Sequence, residues 1–228
     1  MKKNLLDEKE VWTRFGKEQK VVEPFPIGPH FSYQLRHTPR HVLFTLARYK
    51  FAARLIGPRK TILELGCSDG LGTYYLAETA QSVCGVDFDE EAIAHAQQYY
   101  QNERLRFSQA DFLGKKFGGY DAVVSYDVIE HIFSRNERAY LRTIAANLKP
   151  QGVAFIGTPN ILAQKYSNRK TRAAHVNMFS HERLQALCGE FFHNVFVFGQ
   201  NDELVHTGYL PMAHYLLAVC CQKKLKKK

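Results

Sequence analysis

Tryptophan occurs once in the 228 residues, at Trp12, and methionine three times. Cysteine is sparse too. The five thiols, Cys67, Cys84, Cys188, Cys220 and Cys221, are odd in number and show no C-x-x-C spacing. That argues against a disulfide framework or a paired-cysteine metal site and leaves reduced, mostly buried thiols. No apolar run reaches the ~20 residues that cross a bilayer. The most apolar stretch, Tyr209 to Cys221, is interrupted by Pro211 and His214 and reads as a buried strand. The start of the chain, Met1 to Lys9, turns acidic where a signal peptide would carry an apolar core, so a cytoplasmic protein is expected. There is no internal repeat, and nothing speaks to the oligomeric state.

What is present is ordinary for a globular chain: 45% hydrophobic and 23% charged residues, enough for one sizeable core. The formal charge of +9 is unevenly placed, five of the lysines lying in residues 223–228. A solvated tail accounts for that run better than a nucleic-acid surface does, so nucleic acid is not the expected partner.

Residues 1–38 alternate charges with Pro24, Pro26 and Pro29 and read as irregular with one short helix. From Pro39 apolar residues recur at helical spacing until Gly57-Pro58. Strand and helix patterns then alternate. Strands are expected at Thr61–Leu65, Ser82–Asp87, Leu105–Phe107, Tyr120–Tyr126 and from Val153, with helices around Thr73–Glu78, Glu90–Tyr100 and Arg135–Leu148. This rhythm calls for a doubly wound α/β fold with a mainly parallel sheet. The last third departs from it: Thr158 to Phe179 is polar and irregular, Ser180 caps a helix to about Phe191, and strands at Val195–Phe198 and His214–Cys221 suggest an antiparallel hairpin on one edge. The expected organisation is a helical cap segment, 1–58, then a domain at 59–222 with an insertion at 158–180, then the basic tail, 223–228.

The segment Ile62 to Gly72 carries the chemistry. A strand feeding a glycine-rich turn and a helix brings a ligand against bare backbone at a helix N-terminus. A dinucleotide fingerprint from Gly66 fails at Ser68 and Leu71. Gly66-Cys67-Ser68-Asp69-Gly70 does match the G-x-S-x-G elbow of α/β-hydrolases, with Asp202 and His193 or His206 as formal partners for Ser68, but no oxyanion-hole segment precedes it. A third reading draws on the ends of the next three strands. Asp87 ends the second strand 21 residues after Gly66, placed to accept from two ribose hydroxyls. Gln109-Ala110-Asp111-Phe112 comes after the third strand, and Ser125-Tyr126-Asp127-Val128-Ile129-Glu130-His131 ends the fourth.

In this order the motifs of residues 61–157 resemble the Rossmann-like domain of class I S-adenosylmethionine-dependent methyltransferases, in particular small-molecule enzymes of the ubiquinone-biosynthesis type. The resemblance implies S-adenosyl-L-methionine as cofactor. It implies that Glu64, Gly66 and Gly70 shape the methionine pocket, Asp87 holds the ribose, and Asp111 and Phe112 flank the adenine. Cys67, Phe88, Ser125 and Tyr126 would line the same cleft. The family more often has glycine where Ser68 stands. Glu64 has a second reading, as a partner for a basic residue of the preceding helix.

Methyl transfer to a hydroxyl needs a base, and His131, just past the fourth strand, is the first candidate, with a structural role in a helical turn as its rival. His175 in the insertion is the second. Tyr33, Arg36, His37 and Asn177 are candidate substrate-binding residues, suited to an anionic, ring-shaped small-molecule acceptor such as a sugar nucleotide. A weaker resemblance of the flanks to enzymes of surface-glycan pathways favours O-methylation of a sugar. No clustered carboxylates suggest a metal.

Overall fold

The computed structural model describes residues 7–19 and 25–224. Its elements run α1 (Glu8–Gln19), α2 (Pro29–His37), α3 (Pro39–Ile56), β1 (Thr61–Leu65), α4 (Leu71–Ala77), β2 (Ser82–Asp87), α5 (Glu90–Tyr99), β3 (Leu105–Gln109), β4 (Tyr120–Tyr126), α6 (Glu137–Asn147), β5 (Leu148–Pro159), α7 (Arg169–Ala174), α8 (His181–Gly189), β6 (Phe192–Asn201), β7 (Leu204–His206) and β8 (Tyr215–Lys223). The expected boundaries of β1, β2 and β4 coincide with the observed ones.

The strands form one eight-stranded sheet in the order β3-β2-β1-β4-β5-β8-β6-β7. The first five pair in parallel, and β8 and β6 add antiparallel. Successive residues of a strand face opposite sides. Ile62 accordingly joins a core with Tyr49 and Ala52 of α3, Leu76 of α4 and Ile93 of α5, whereas Leu63 joins Tyr140 and Ile144 of α6 and Leu184 of α8. Two helical layers therefore enclose the sheet.

Three features depart from the expectations. A second N-terminal helix, α2, begins at Pro29, its first turn set by the proline. The insertion contains a short 3-10 stretch at Ile161–Tyr166 and α7, so it is not wholly irregular. The edge gains a three-residue strand, β7, and β8 lies between β5 and β6. Lys223 belongs to β8 and pairs with Phe192, so the tail begins later than residue 223; residues 225–228 lie outside the described residues.

The chain leaves β1 toward β2 on one side, while β4 lies on the other side of β1. This is a topological switch point, and open α/β sheets bind ligands in the crevice at the carboxyl ends of the strands there. The glycine loop after β1 and the turn after β4 both open onto it.

Candidate active site

The loop after β1 turns back onto β2: the Gly66 and Cys67 N–H groups both donate to Val86 O, at 2.8 and 3.2 Å. Gly66 adopts φ +80°, and a Cβ there would stand 2.2 Å from Val128; Gly70 takes φ +84° as the N-cap of α4. Both positions need glycine for conformation and space. Ser68 also has a positive φ, +50°, strained for a residue with a side chain, where the resembling family favours glycine.

Asp87 emerges from β2 beneath this loop. Its carboxylate accepts from the Ser68 N–H at 2.8 Å and the Asp89 N–H at 3.0 Å. Phe88 beside it is 74% exposed, a large ring with little cover at the mouth of the crevice. Glu64, fully buried on β1, accepts from the Tyr49 hydroxyl at 2.6 Å while its Oε2 has no partner. Burial, only partly offset by hydrogen bonding, raises its pKa to about 7. The helix residue that meets Glu64 is thus a tyrosine, not a base. A buried carboxylate behind bare loop backbone, a second carboxylate at the end of β2 and an uncovered ring next to it are polar and aromatic groups of the kind S-adenosylmethionine needs.

The other residues assigned to the cofactor make contacts of their own within the fold. The Cys67 side chain lies in the core against Gly85, where burial pushes its thiol pKa up. Phe112 is buried opposite Tyr140, with ring centroids 6.3 Å apart, so its face is not open to an adenine. Asp111 is exposed, and its Oδ1 accepts from the Leu113 N–H. Ser125 ties β4 to β1 by donating to Leu65 O at 2.8 Å. Tyr126 is buried edge-on to Tyr49.

The turn after β4 builds the second half of the site. Asp127 takes φ +56°, and Ile129–His131 forms one 3-10 turn. Asn177 N–H donates to Glu130 O at 3.0 Å, and the His131 Nδ1–H donates to Ala174 O at 3.0 Å. A carbonyl can only accept, so Nδ1 carries the hydrogen of this bond and Nε2 takes no part in it. These two bonds stitch the insertion to the turn and set the His131 and His175 rings edge to face at 5.0 Å. Glu130 is fully buried: Oε2 accepts from Thr158 Oγ1 at 3.1 Å, Oε1 has no partner, and burial with the nearby Asp127 charge raises its pKa to about 8. Burial, then His131, lowers the pKa of His175.

Asn177, expected to touch substrate, is buried; its Nδ2 donates to Glu137 and its Oδ1 accepts from Arg183 at 3.0 Å, so it holds the insertion in place. Tyr33, Arg36 and His37 lie exposed on α2, Tyr33 against His37, and no hydrogen bond among the described residues joins them to the cluster. The start of α2 is instead tied to the cofactor loop, through the Phe31 N–H on Asp69 at 3.0 Å.

Sequence reasoning overlooked Arg48. Its side chain is buried, paired with Asp127, bonded to Gln200 at 3.0 Å and stacked 3.5 Å above the Tyr215 ring. Burial alone would lower its pKa, but Asp127 and its neighbours hold it above the ordinary value. Its position in the buried stripe Thr45-Arg48-Tyr49-Ala52 was the available signal.

The hydrolase reading fails on distance. Ser68 sits just after β1, whereas His193, Asp202 and His206 lie at β6 and β7, four and five strand spacings away, roughly 19–24 Å.

Residues 62–152 match the family model described as "Methyltransferase domain". The chain is 32% identical over 101 residues to a "Probable S-adenosylmethionine-dependent methyltransferase" of Mycolicibacterium smegmatis, covering 44% of this chain and 38% of that protein. It is 32% identical over 130 residues to the ubiquinone biosynthesis O-methyltransferase of Caulobacter vibrioides, covering 55% and 51%. The chain thus spans about half the length of these relatives, or less. Among solved structures, the N-methyltransferase NodS of Bradyrhizobium japonicum with S-adenosyl-L-homocysteine superposes at a TM-score of 0.59, with 18% identity over 90% of this chain and 95% of that one; this likeness concerns the fold. The glycine loop and the comparisons agree: residues 62–152 of this chain are similar to the methyltransferase domain, and the relatives they match are by name S-adenosylmethionine-dependent and ubiquinone-biosynthesis methyltransferases.

Proposed function

We propose that the protein is an O-methyltransferase acting on a small acceptor bound over Glu130, His131 and His175. A nucleotide-linked sugar is the acceptor class suited to the basic and aromatic residues of α2. Bound S-adenosylmethionine supplies a methyl group already activated on its sulfonium. The chain's residues then have to align the acceptor, exclude water and receive a proton.

The observation that carries this reading is the state of His131. With Nδ1–H committed to Ala174 O, its Nε2 is a free base on the same crevice as the cofactor loop. As the acceptor oxygen forms its bond to the methyl carbon and the C–S bond breaks, the hydroxyl proton passes to Nε2. His175, in contact with that ring, orients the acceptor. The relative from Caulobacter vibrioides, by its name an O-methyltransferase, supports the choice of oxygen. Helix α2 serves as a cap, α3 being part of the layer that covers the sheet, and 158–180 serves as the substrate-binding insertion, in a protein that works in the cytoplasm without nucleic acid.

Mass spectrometry of products formed with S-adenosylmethionine and a panel of sugar nucleotides, phenols and amines tests the proposal. A mass gain of one methyl on an acceptor hydroxyl is expected. Methylation confined to amines would overturn the O-methyltransferase assignment.

A further inference from the structure

The loops at the amino ends of the strands, the edge of the sheet opposite the crevice, carry a surplus of positive charge. Lys60 precedes β1, Arg104 precedes β3, and Lys115 and Lys116 precede β4, all of them exposed. Because β8 runs antiparallel to β5, its last residue, Lys223, and the following Lys224 come back to the same edge. Of the acids there, Asp121 pairs with Lys149 and Glu190 with Arg138, which leaves Glu78 and Glu103 outnumbered. Between α6, the end of β8 and the loop before β4 lies a cleft of about 620 Å³, lined by Arg142, Lys223 and Lys224 with Gly114, Thr143 and Phe191.

We propose that this edge is a docking surface for an anionic lipid bilayer, with the cleft receiving a phosphate headgroup. The uncompensated like charges point to an anion. After burial, it is Lys116 that holds the Lys223 ammonium pKa down, so two cations face one another without a carboxylate to offset them. The carbonyls of Ala145, Leu148 and Gly189 accept from Lys223 and Lys224 but cancel none of their charge. Such repulsion works against the compact state, and a bound anion relieves it. A bilayer suits this surface better than nucleic acid. The clefts at Lys60 and at Lys223 are lined by no exposed aromatic ring on which a base could stack. The charge is mainly lysine, a point charge that serves a fluid array of headgroups, whereas arginine's planar fork serves fixed phosphates. In sequence the run continues past Lys224 with Lys226, Lys227 and Lys228. No described helix is long and apolar enough to cross a membrane, so the association is peripheral. Docked this way, the protein turns its crevice away from the bilayer and keeps it open to water-soluble acceptors. That consequence rests on the function proposed above; the docking itself does not.

The test sediments the full-length protein with vesicles of mixed phosphatidylglycerol and phosphatidylcholine, and with phosphatidylcholine vesicles alone. Binding is expected to the anionic vesicles only, and it should vanish near about 0.5 M salt. Each lysine or arginine near an anionic bilayer is worth about five-fold in affinity, so Lys115→Glu combined with Lys116→Glu and Arg142→Glu should weaken binding at least about 100-fold. Lys165→Glu combined with Arg169→Glu and Arg172→Glu makes the same change of charge at the opposite edge, beyond a screening length from the bilayer, and should weaken it less than about three-fold. Thermal melts report whether each variant folds. Should the first fail to fold, Lys115→Gln with Lys116→Gln replaces it, with an expected loss of about 25-fold. Absence of wild-type binding to anionic vesicles overturns the docking surface. So does equal weakening by the two charge-reversed variants, which reduces the effect to net charge. Tighter binding to single-stranded RNA at matched phosphate concentration would overturn it as well, by making the edge a nucleic-acid surface. A failure to methylate any acceptor would count against the proposed function alone, since docking is read without turnover.

Discussion

Asp87 is the residue whose replacement most directly probes the cofactor half of the site. Its carboxylate accepts from the Ser68 and Asp89 N–H groups, and we propose that it also presents its charge at the end of β2 to the ribose of the cofactor. Asp87→Ala removes charge-assisted hydrogen bonds to ribose worth about 1.5–3 kcal/mol, a loss of roughly 10- to 150-fold in affinity. It also leaves two backbone donors short of a partner at about 1 kcal/mol each, so the melting temperature should fall by about 4–8 °C. Asp87→Asn keeps one acceptor oxygen and should show about half of the second effect while losing most of the first. Isothermal titration with S-adenosylhomocysteine measures affinity, and a thermal melt without ligand measures stability. A folded Asp87→Ala protein that binds within two-fold of the wild type would refute the placement of ribose at β2.

Replacing the buried Arg48 by methionine strands Asp127, and because Asp127 retains contact with water the cost should be near the low end for a broken buried pair, about 3 kcal/mol in chemical denaturation; no loss would deny the pair a structural role. Glu64, held at about 7 instead of 4.5, disfavours the charged fold by about 3 kcal/mol: its contribution is fully present below about pH 4.5 and is lost as pH rises through 7. The ligand-free melting temperature of Glu64→Gln should therefore fall less than the wild type's between pH 5 and pH 8, and parallel curves would contradict a buried ionisable Glu64. His131→Ala should lower turnover by about 10²- to 10⁴-fold with cofactor affinity nearly unchanged, while His175→Ala should mainly raise the acceptor's KM; full turnover without His131 would exclude it as the base. Deleting residues 225–228 should leave turnover intact at all ionic strengths, and a salt-dependent loss would instead indicate a polyanionic acceptor.

Much of the framework was legible because its signals are local. The apolar runs at Ile62–Leu65 and Ala122–Val124, the glycines after β1 and the carboxylate after β2 each act within a few residues, where backbone conformation and strand burial are decided. The same locality explains why α2 was overlooked, its proline signal being hidden among other prolines, and why β7 at three residues carries too little pattern to be seen.

Side-chain partnerships across the fold were not legible, because no local pattern specifies them. Phe112 and Asn177 carry the right chemistry in the right order, yet packing against Tyr140 and bonding to Glu137 and Arg183 commit them to the scaffold. His131 and His175 stand in different elements, and only the backbone bonds from the insertion to the turn after β4 set their rings together over Glu130. The sequence by itself determined the order of elements and the cofactor loop, since strand burial and turn geometry are properties of short segments. Only the tertiary structure decided that a buried carboxylate, two imidazoles and a buried arginine share one end of the sheet, because such contacts exist only once the strand order places those segments side by side.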